Sequence, residues 1–234
     1  MIVNPKNWGY ICEVPTIKEI EETMREAVAN TNCPNLCLSG GVDSSLTLHF
    51  MSSIFPKVNC FTIAQSENHP DYYYSKLIAS KYKTNHFLLV PNKHDIKAEM
   101  KKEDAPGDVA VRLLFKFIGN YTNSVITTDC IDELACGYYR HEEFPTDETF
   151  RELLSELEKS HLEPLHKNSG DVAVHVPYAT QKIIHLFLRI PLKDKIRKRH
   201  IMSIASKYIP EEIVNRRKYG FCAALDNIEV QYGI

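Results

Sequence analysis

The chain has 234 residues, 44% hydrophobic and 25% charged, which fits one globular domain or one domain with a small helical extension. Twenty-eight Lys and Arg against 30 Asp and Glu leave a net charge of −2, so no global field draws it to nucleic acid. No run of about 18 apolar residues occurs, and the opening MIVNPKNWGYICEVP lacks the basic and apolar regions of a secretory signal. A cytoplasmic chain that neither spans nor crosses a membrane is expected.

Residues 16–30 place Ile17, Ile20, Met24 and Val28 at helical spacing behind early acidic residues. Residues 35–39 are a short apolar run that stops at two glycines, and 42–54 return to helical periodicity through Leu46, Phe50 and Ile54. The segment 58–64 (VNCFTIA) reads as a buried strand, and 70–82 as a helix opened by proline at its first position. Then follow a strand at 86–90, a short helix at 95–101, an apolar helix at 108–118 and a strand at 124–128. Strands alternating with helices predict an α/β fold, a doubly wound, Rossmann-like parallel sheet over residues 1–140. Beyond that point 146–161, 178–188, 193–208 and 211–215 read as helices, and no strand is evident. Residues 141–234 are therefore expected to form a helical subdomain against the ligand-binding edge of the sheet.

Seven Cys, an odd number without a CxxC pair, and ten singly scattered His offer no zinc-type spacing. The thiols are expected to be structural, in a reducing compartment.

The informative stretch is LSGGVDSS, residues 38–45. A strand that runs into two glycines and then a helix is a phosphate cradle. Gly40 and Gly41 let the backbone approach closely, and amides at the helix N-terminus face the anion. Ser39, Ser44 and Ser45 add hydroxyl donors. Asp43 puts a carboxylate beside the phosphate, which is repulsive unless a divalent cation bridges them. The pattern is neither GxxxxGK[ST] nor GxGxxG. A second segment, TTDCIDELACGYY at residues 127–139, follows the fourth predicted strand, so Asp132 and Asp43 would both emerge at carboxyl ends of parallel strands. Two carboxylates converging on a triphosphate suit Mg²⁺; spacing alone leaves Asp132 the alternative of complementing a helix N-terminus.

SGG followed by any residue and DS resembles the PP-loop ATP pyrophosphatases, and TTDCIDELACGYY resembles the G-E-G-x-D-E-x-F-G-G-Y segment of the asparagine synthetase family. VHVPYAT, KDKIR and IPEEIVNRRKYGF, in that order, resemble its A-R-V-P-F-L-D, K-x-x-L-R and L-P-x-x-I-x-x-R-P-K-x-x-F segments, so the likeness runs over residues 16–221. It implies an adenine nucleotide alpha hydrolase-like fold and a standalone synthetase domain using ATP and Mg²⁺. In that case Ser39, Gly40, Gly41, Asp43, Ser44 and Ser45 take pyrophosphate and magnesium, with Asp132 as a further metal ligand. Backbone at Leu38, Ile63 and Thr128 frames the nucleoside. Lys193 neutralises the triphosphate, with Lys195 and Lys218 as alternatives, and Asp129 orients the acyl group or the attacking amine. The implied reaction is amide formation, in which a small-molecule carboxylate is adenylated with release of pyrophosphate and then attacked by an amine.

Departures fall on the substrate side. Asp129 stands where the family has Glu, Thr128 and Cys130 replace two glycines, and Ala173 and His175 replace a Glu and an Arg. Ile2 follows Met1 where a glutamine-dependent synthetase has its catalytic Cys, so ammonia is expected to be free or to come from a separate glutaminase. Two other readings stay open. One is adenylation of a nucleobase carbonyl, supported by the cationic cluster at 193–200 with Arg216, Arg217 and Lys218; the other is a nucleotide-binding relative without chemistry. Asn at position 43 or 132 is expected to leave stability unchanged or slightly raised, because two carboxylates around an empty phosphate site repel.

Overall fold

The computed structural model describes residues 13–105, 107–216 and 224–225. Among them, five strands form one sheet: β1 Asn35–Cys37, β2 Asn59–Ile63, β3 Asn85–Leu89, β4 Ser124–Ile126 and β5 Ala173–His175. All neighbours are parallel, in the order β3-β2-β1-β4-β5. The chain winds outwards from β1 to β3, then returns to pair β4 on the other side of β1. The order therefore reverses between β1 and β4, and open α/β sheets bind ligands at such a point.

The helices are α1 Ile17–Ala29, α2 Val42–Ile54, α3 Pro70–Lys81, α4 Lys93–Glu99 and α5 Asp108–Ile118, then α6 Ile131–Leu134, α7 Tyr139–Glu143, α8 Asp147–Leu157 and α9 Glu163–Asn168. After β5 come α10 Gln181–Leu188, α11 Leu192–Lys195, α12 Arg199–Ala205 and α13 Glu211–Val214. Capping explains several starts: Thr16 accepts from the Glu19 amide at 3.1 Å to open α1, and Asn92 and Asp95 form a capping box on α4.

Successive strand residues feed opposite faces, as the period of two demands. Leu36, Cys60 and Ile126 join a core with α1, α2, α8, α10 and α12, while Phe61, Ile63 and Val125 join another with α4 and α5. Ile20, Met24 and Leu46 share the first core with Ile184, Ile201 and Ile213, so burial is continuous across residue 140. Three strands begin with an asparagine in register, Asn35 beside Asn59 beside Asn85. Asn59 donates to Asn35 Oδ1 at 2.8 Å, and Asn85 to Asn59 Oδ1 at 2.9 Å, while Asn35 donates to the Ser124 carbonyl at 3.0 Å. These amides tie four strands together at the edge opposite the ligand side.

Two expectations are corrected. The region beyond residue 140 supplies a strand, since Val125 pairs with Val174 and the Thr127 amide donates to the His175 carbonyl at 2.9 Å. The stretch 193–208 is not one helix: Arg197 and Lys198 have φ of +61° and +53°, which ends α11 and restarts as α12. Their amides leave the helical ladder for the carbonyls of Cys136 and Ala135, each at 3.2 Å. The charged stretch 146–161 runs as α8 into a π-helical turn, Glu158–Leu162, before α9.

Candidate active site

At the carboxyl end of β1 the chain makes its turn through Ser39, Gly40 and Gly41. Gly40 has φ +70°, and a Cβ there would stand 2.3 Å from the Ser75 amide nitrogen and 2.4 Å from the Tyr74 carbonyl carbon. Only glycine lets this turn sit directly on α3. Gly41 is the N-cap of α2, whose first turn carries Asp43. The Gly41 amide donates to Ser39 Oγ at 3.2 Å; the Ser39 and Ser44 hydroxyls are 3.2 Å apart, and Ser44 donates to the Gly41 carbonyl at 3.2 Å. Ser45 is fully buried, and its hydroxyl has no hydrogen-bond partner among the described residues. The turn thus combines a helix N-terminus with hydroxyl groups, an arrangement whose chemistry suits an anion.

Beyond β4, Cys130 takes φ +80° and Cys136 φ +55°, the left-handed region that favours glycine. These are two of the positions where the resembling segment has Gly. Between them α6 presents Asp132. Lys198 reaches from the start of α12 to both carboxylates, 2.6 Å from Asp132 Oδ1 and in direct contact with Asp43 Oδ2. Burial alone would push its ammonium towards the neutral form, but the two carboxylates outweigh that and raise its pKa above the ordinary lysine value. Gly137 makes the fit feasible, because a Cβ there would lie 2.1 Å from Lys198 Cε and 2.2 Å from Asp132 Oδ1.

The structure therefore brings Asp43 and Asp132 together, as expected, but the lysine it brings to them is Lys198. Lys193 is exposed on α11 and makes no ion pair among the described residues. Lys195 is buried over the Phe150 ring at 4.0 Å, where burial pushes its pKa down to about 8. Lys218 lies outside the described residues. One signal could have found Lys198. Ile201, Ile204 and Ala205 are the buried face of α12, and Lys198 stands three residues before the first of them.

Asp129 lies on the loop between β4 and α6, and burial raises its carboxyl pKa. Near it is a polar cluster that spacing did not reveal. Tyr138 donates to Glu133 Oε1 at 2.5 Å, and His161, carried by the π-helical turn, stands 3.7 Å from the same oxygen. Glu133 is 2% exposed, and burial raises its pKa too. Leu38 is buried, donates its amide to the Phe61 carbonyl at 2.8 Å and accepts the Thr62 hydroxyl on its own carbonyl. Ile63 is buried at the end of β2, and Thr128 lies half-buried after β4.

The cationic cluster is split between interior and surface: Lys193, Arg197 and Arg199 are exposed, and Arg217 and Lys218 lie outside the described residues. Lys195 and Lys198 are buried, and Arg216 pairs with Asp71 at 2.5 Å with side chains 5% and 4% exposed. Arg197 pairs with Glu142 at 2.8 Å. Arg199 lies 3.7 Å from Asp194, so two of the three exposed cations face a carboxylate.

A doubly wound sheet with a Gly-Ser cradle and an acidic pair at its switch point defines a nucleotide-using α/β protein. The asparagine synthase family model matches residues 19–173 and 167–232, and the chain belongs to that family. Membership makes it an ATP-using synthetase of the PP-loop class. Among solved structures, the NH3-dependent NAD synthetase from Campylobacter jejuni subsp. jejuni NCTC 11168, in complex with the nitrate ion, is similar to it. The two are 15% identical, with 84% of this chain and 99% of that one covered at a TM-score of 0.43. No curated protein matches the chain.

Proposed function

We propose that this protein is an ATP-dependent amide-forming ligase. A carboxylate oxygen of the acceptor attacks the α-phosphorus of ATP and pyrophosphate leaves. Ammonia or another amine then attacks the acyl carbon, AMP leaves, and the amine loses a proton. The observation that carries this reading is the meeting of Asp43 and Asp132 around one cation beside the Ser39–Gly41 turn.

Two carboxylates that already converge on an ammonium fit a divalent cation, since Mg²⁺ takes one or two carboxylates plus phosphate oxygens. When bound, that ion would neutralise charge on the triphosphate; Asp43 and Asp132 would hold it. Gly40, Gly41 and the hydroxyls of Ser39, Ser44 and Ser45 would receive the β- and γ-phosphates. Lys198 would offer its ammonium to the oxygens that gain charge as the α-phosphorus is attacked. A fixed cation there stabilises the transition state more than the ground state. Backbone at Leu38, Ile63 and Thr128 would frame the nucleoside. Asp129 would orient the acyl group or the incoming amine.

Ala173 and His175, where the resembling segment has Glu and Arg, favour an acceptor other than aspartate. Ammonia would come from solution or from a separate glutaminase, and the buried thiols Cys33, Cys60, Cys130 and Cys136 favour a cytoplasmic location. The test is product analysis across a panel of carboxylates with ATP, magnesium and an ammonium salt. AMP and pyrophosphate in equal amounts are expected with a productive acceptor, and none with glutamine as sole nitrogen source. ADP and phosphate as sole products would refute the reading.

A further inference from the structure

Arg216 lies 177 residues from Ser39 in sequence, yet its Nη1 donates to the Ser39 carbonyl at 3.2 Å. Its Nη2 pairs with Asp71 at the start of α3 at 2.5 Å, and its guanidinium lies 4.7 Å from the centre of the Tyr74 ring. Asp71 is itself held, its amide donating to His69 Nδ1 at 3.1 Å, within the cap of α3. Tyr74 and Ser75 are the residues on which Gly40 is packed. One buried guanidinium thus joins α3 to the carbonyl that opens the Gly-Gly turn.

The consequence follows from peptide geometry. The Ser39 carbonyl and the Gly40 amide belong to one planar trans unit and point in opposite directions. Gly40, at φ +70°, tolerates both orientations of that unit at low steric cost. In one orientation the turn offers an N–H to an anion, and in the other a carbonyl oxygen. Arg216 holds the carbonyl on its own side, so the amide faces away from it. We propose that Arg216 is a positioning residue that sets the polarity of the phosphate turn, acting through the Ser39–Gly40 peptide without touching the ligand. The proposal rests on the reading above that phosphate occupies this turn.

The planar fork of arginine serves two acceptors at once, whereas a lysine ammonium on a flexible stem is a point charge. Calorimetric titration with inorganic pyrophosphate and magnesium, on the full chain, separates this role from a structural one. Arg216→Lys keeps a charge opposite Asp71 and is expected to fold but to bind pyrophosphate at least about tenfold more weakly, the loss of one charge-assisted hydrogen bond. The paired variant R216M/D71N removes both buried charges, and its thermal midpoint should return towards that of the wild type. Its pyrophosphate affinity should remain at least about tenfold below wild type, because nothing then holds the Ser39 carbonyl. Wild-type affinity in either variant would overturn the proposal. A wild-type protein that binds no pyrophosphate would instead remove the phosphate reading itself.

Discussion

A lysine ammonium moved out of water loses several kcal/mol of hydration, and Lys198 recovers it through two carboxylates drawn from distant loops. Replacing it with methionine leaves Asp43 and Asp132 facing each other, which should lower stability by about 3 kcal/mol. The same change should slow adenylate formation by about a thousandfold, as loss of a transition-state donor does. Lys193→Met, on an exposed side chain, should change neither by more than about 0.5 kcal/mol. Pyrophosphate release and urea denaturation of the two variants check this pair of outcomes. The earlier expectation for Asp43 and Asp132 also changes. With Lys198 between them, an Asn at either position removes an attraction, so it should destabilise by about 1–3 kcal/mol rather than stabilise. Gly137 is the fourth member of the site. Gly137→Ala would drive a methyl into Lys198 Cε and Asp132 Oδ1, so turnover should fall although no charge is lost.

Helices and strands with strong periodicity were legible, because apolar residues at spacing 3.6 or 2 have one way to be buried. Residues 42–54 and 108–118 form helices with the predicted bounds. The break before α12 was not legible, since neither Gly nor Pro marks it. Arg197 and Lys198 adopt positive φ because the Ala135 and Cys136 carbonyls take their amides, a tertiary cause with no local signature. β5 was missed for a related reason: it has three residues, and Ala173 is exposed, so no alternation develops. The asparagine ladder was likewise invisible until the register was known. Asn59→Ala should remove two cross-strand amide bonds and cost about 1–2 kcal/mol, leaving pyrophosphate release unchanged. On α11, Lys195 has its pKa pushed down by burial to about 8. Below pH 8 the folded protein bears the full penalty of the buried charge. Between pH 8 and the ordinary lysine value of 10.5 the unfolded chain binds more protons, so stability should rise with pH. Lys195→Met should add about 1–3 kcal/mol at neutral pH and flatten that rise in denaturation curves.

At the scale of the whole molecule, the sheet order β3-β2-β1-β4-β5 puts the loops after β1 and β4 side by side, which is why residues 43 and 132 meet. That convergence could be argued from sequence, because carboxyl ends of parallel strands share one edge. For the third charge, spacing marks only that Lys198 stands on the buried side of α12; that it meets these two carboxylates depends on how α12 is hung from the carbonyls of Ala135 and Cys136. The triad therefore couples three parts of the chain, and its energetics should be strongly non-additive. Each single change, D43N, D132N or K198M, leaves at least one charge without its full complement. The triple variant leaves none, and replacing a whole buried ionic group is often neutral or stabilising where breaking it is costly. Its stability should thus return to within about 1 kcal/mol of the wild type or exceed it. On the roles proposed above, activity should not return, because no carboxylate would be left to hold a metal and no ammonium to meet the phosphates. Denaturation and pyrophosphate-release assays on the three single variants and the triple one decide the matter. Stability losses that simply add, leaving the triple variant the least stable of the set, would show that the three charges do not act as one unit.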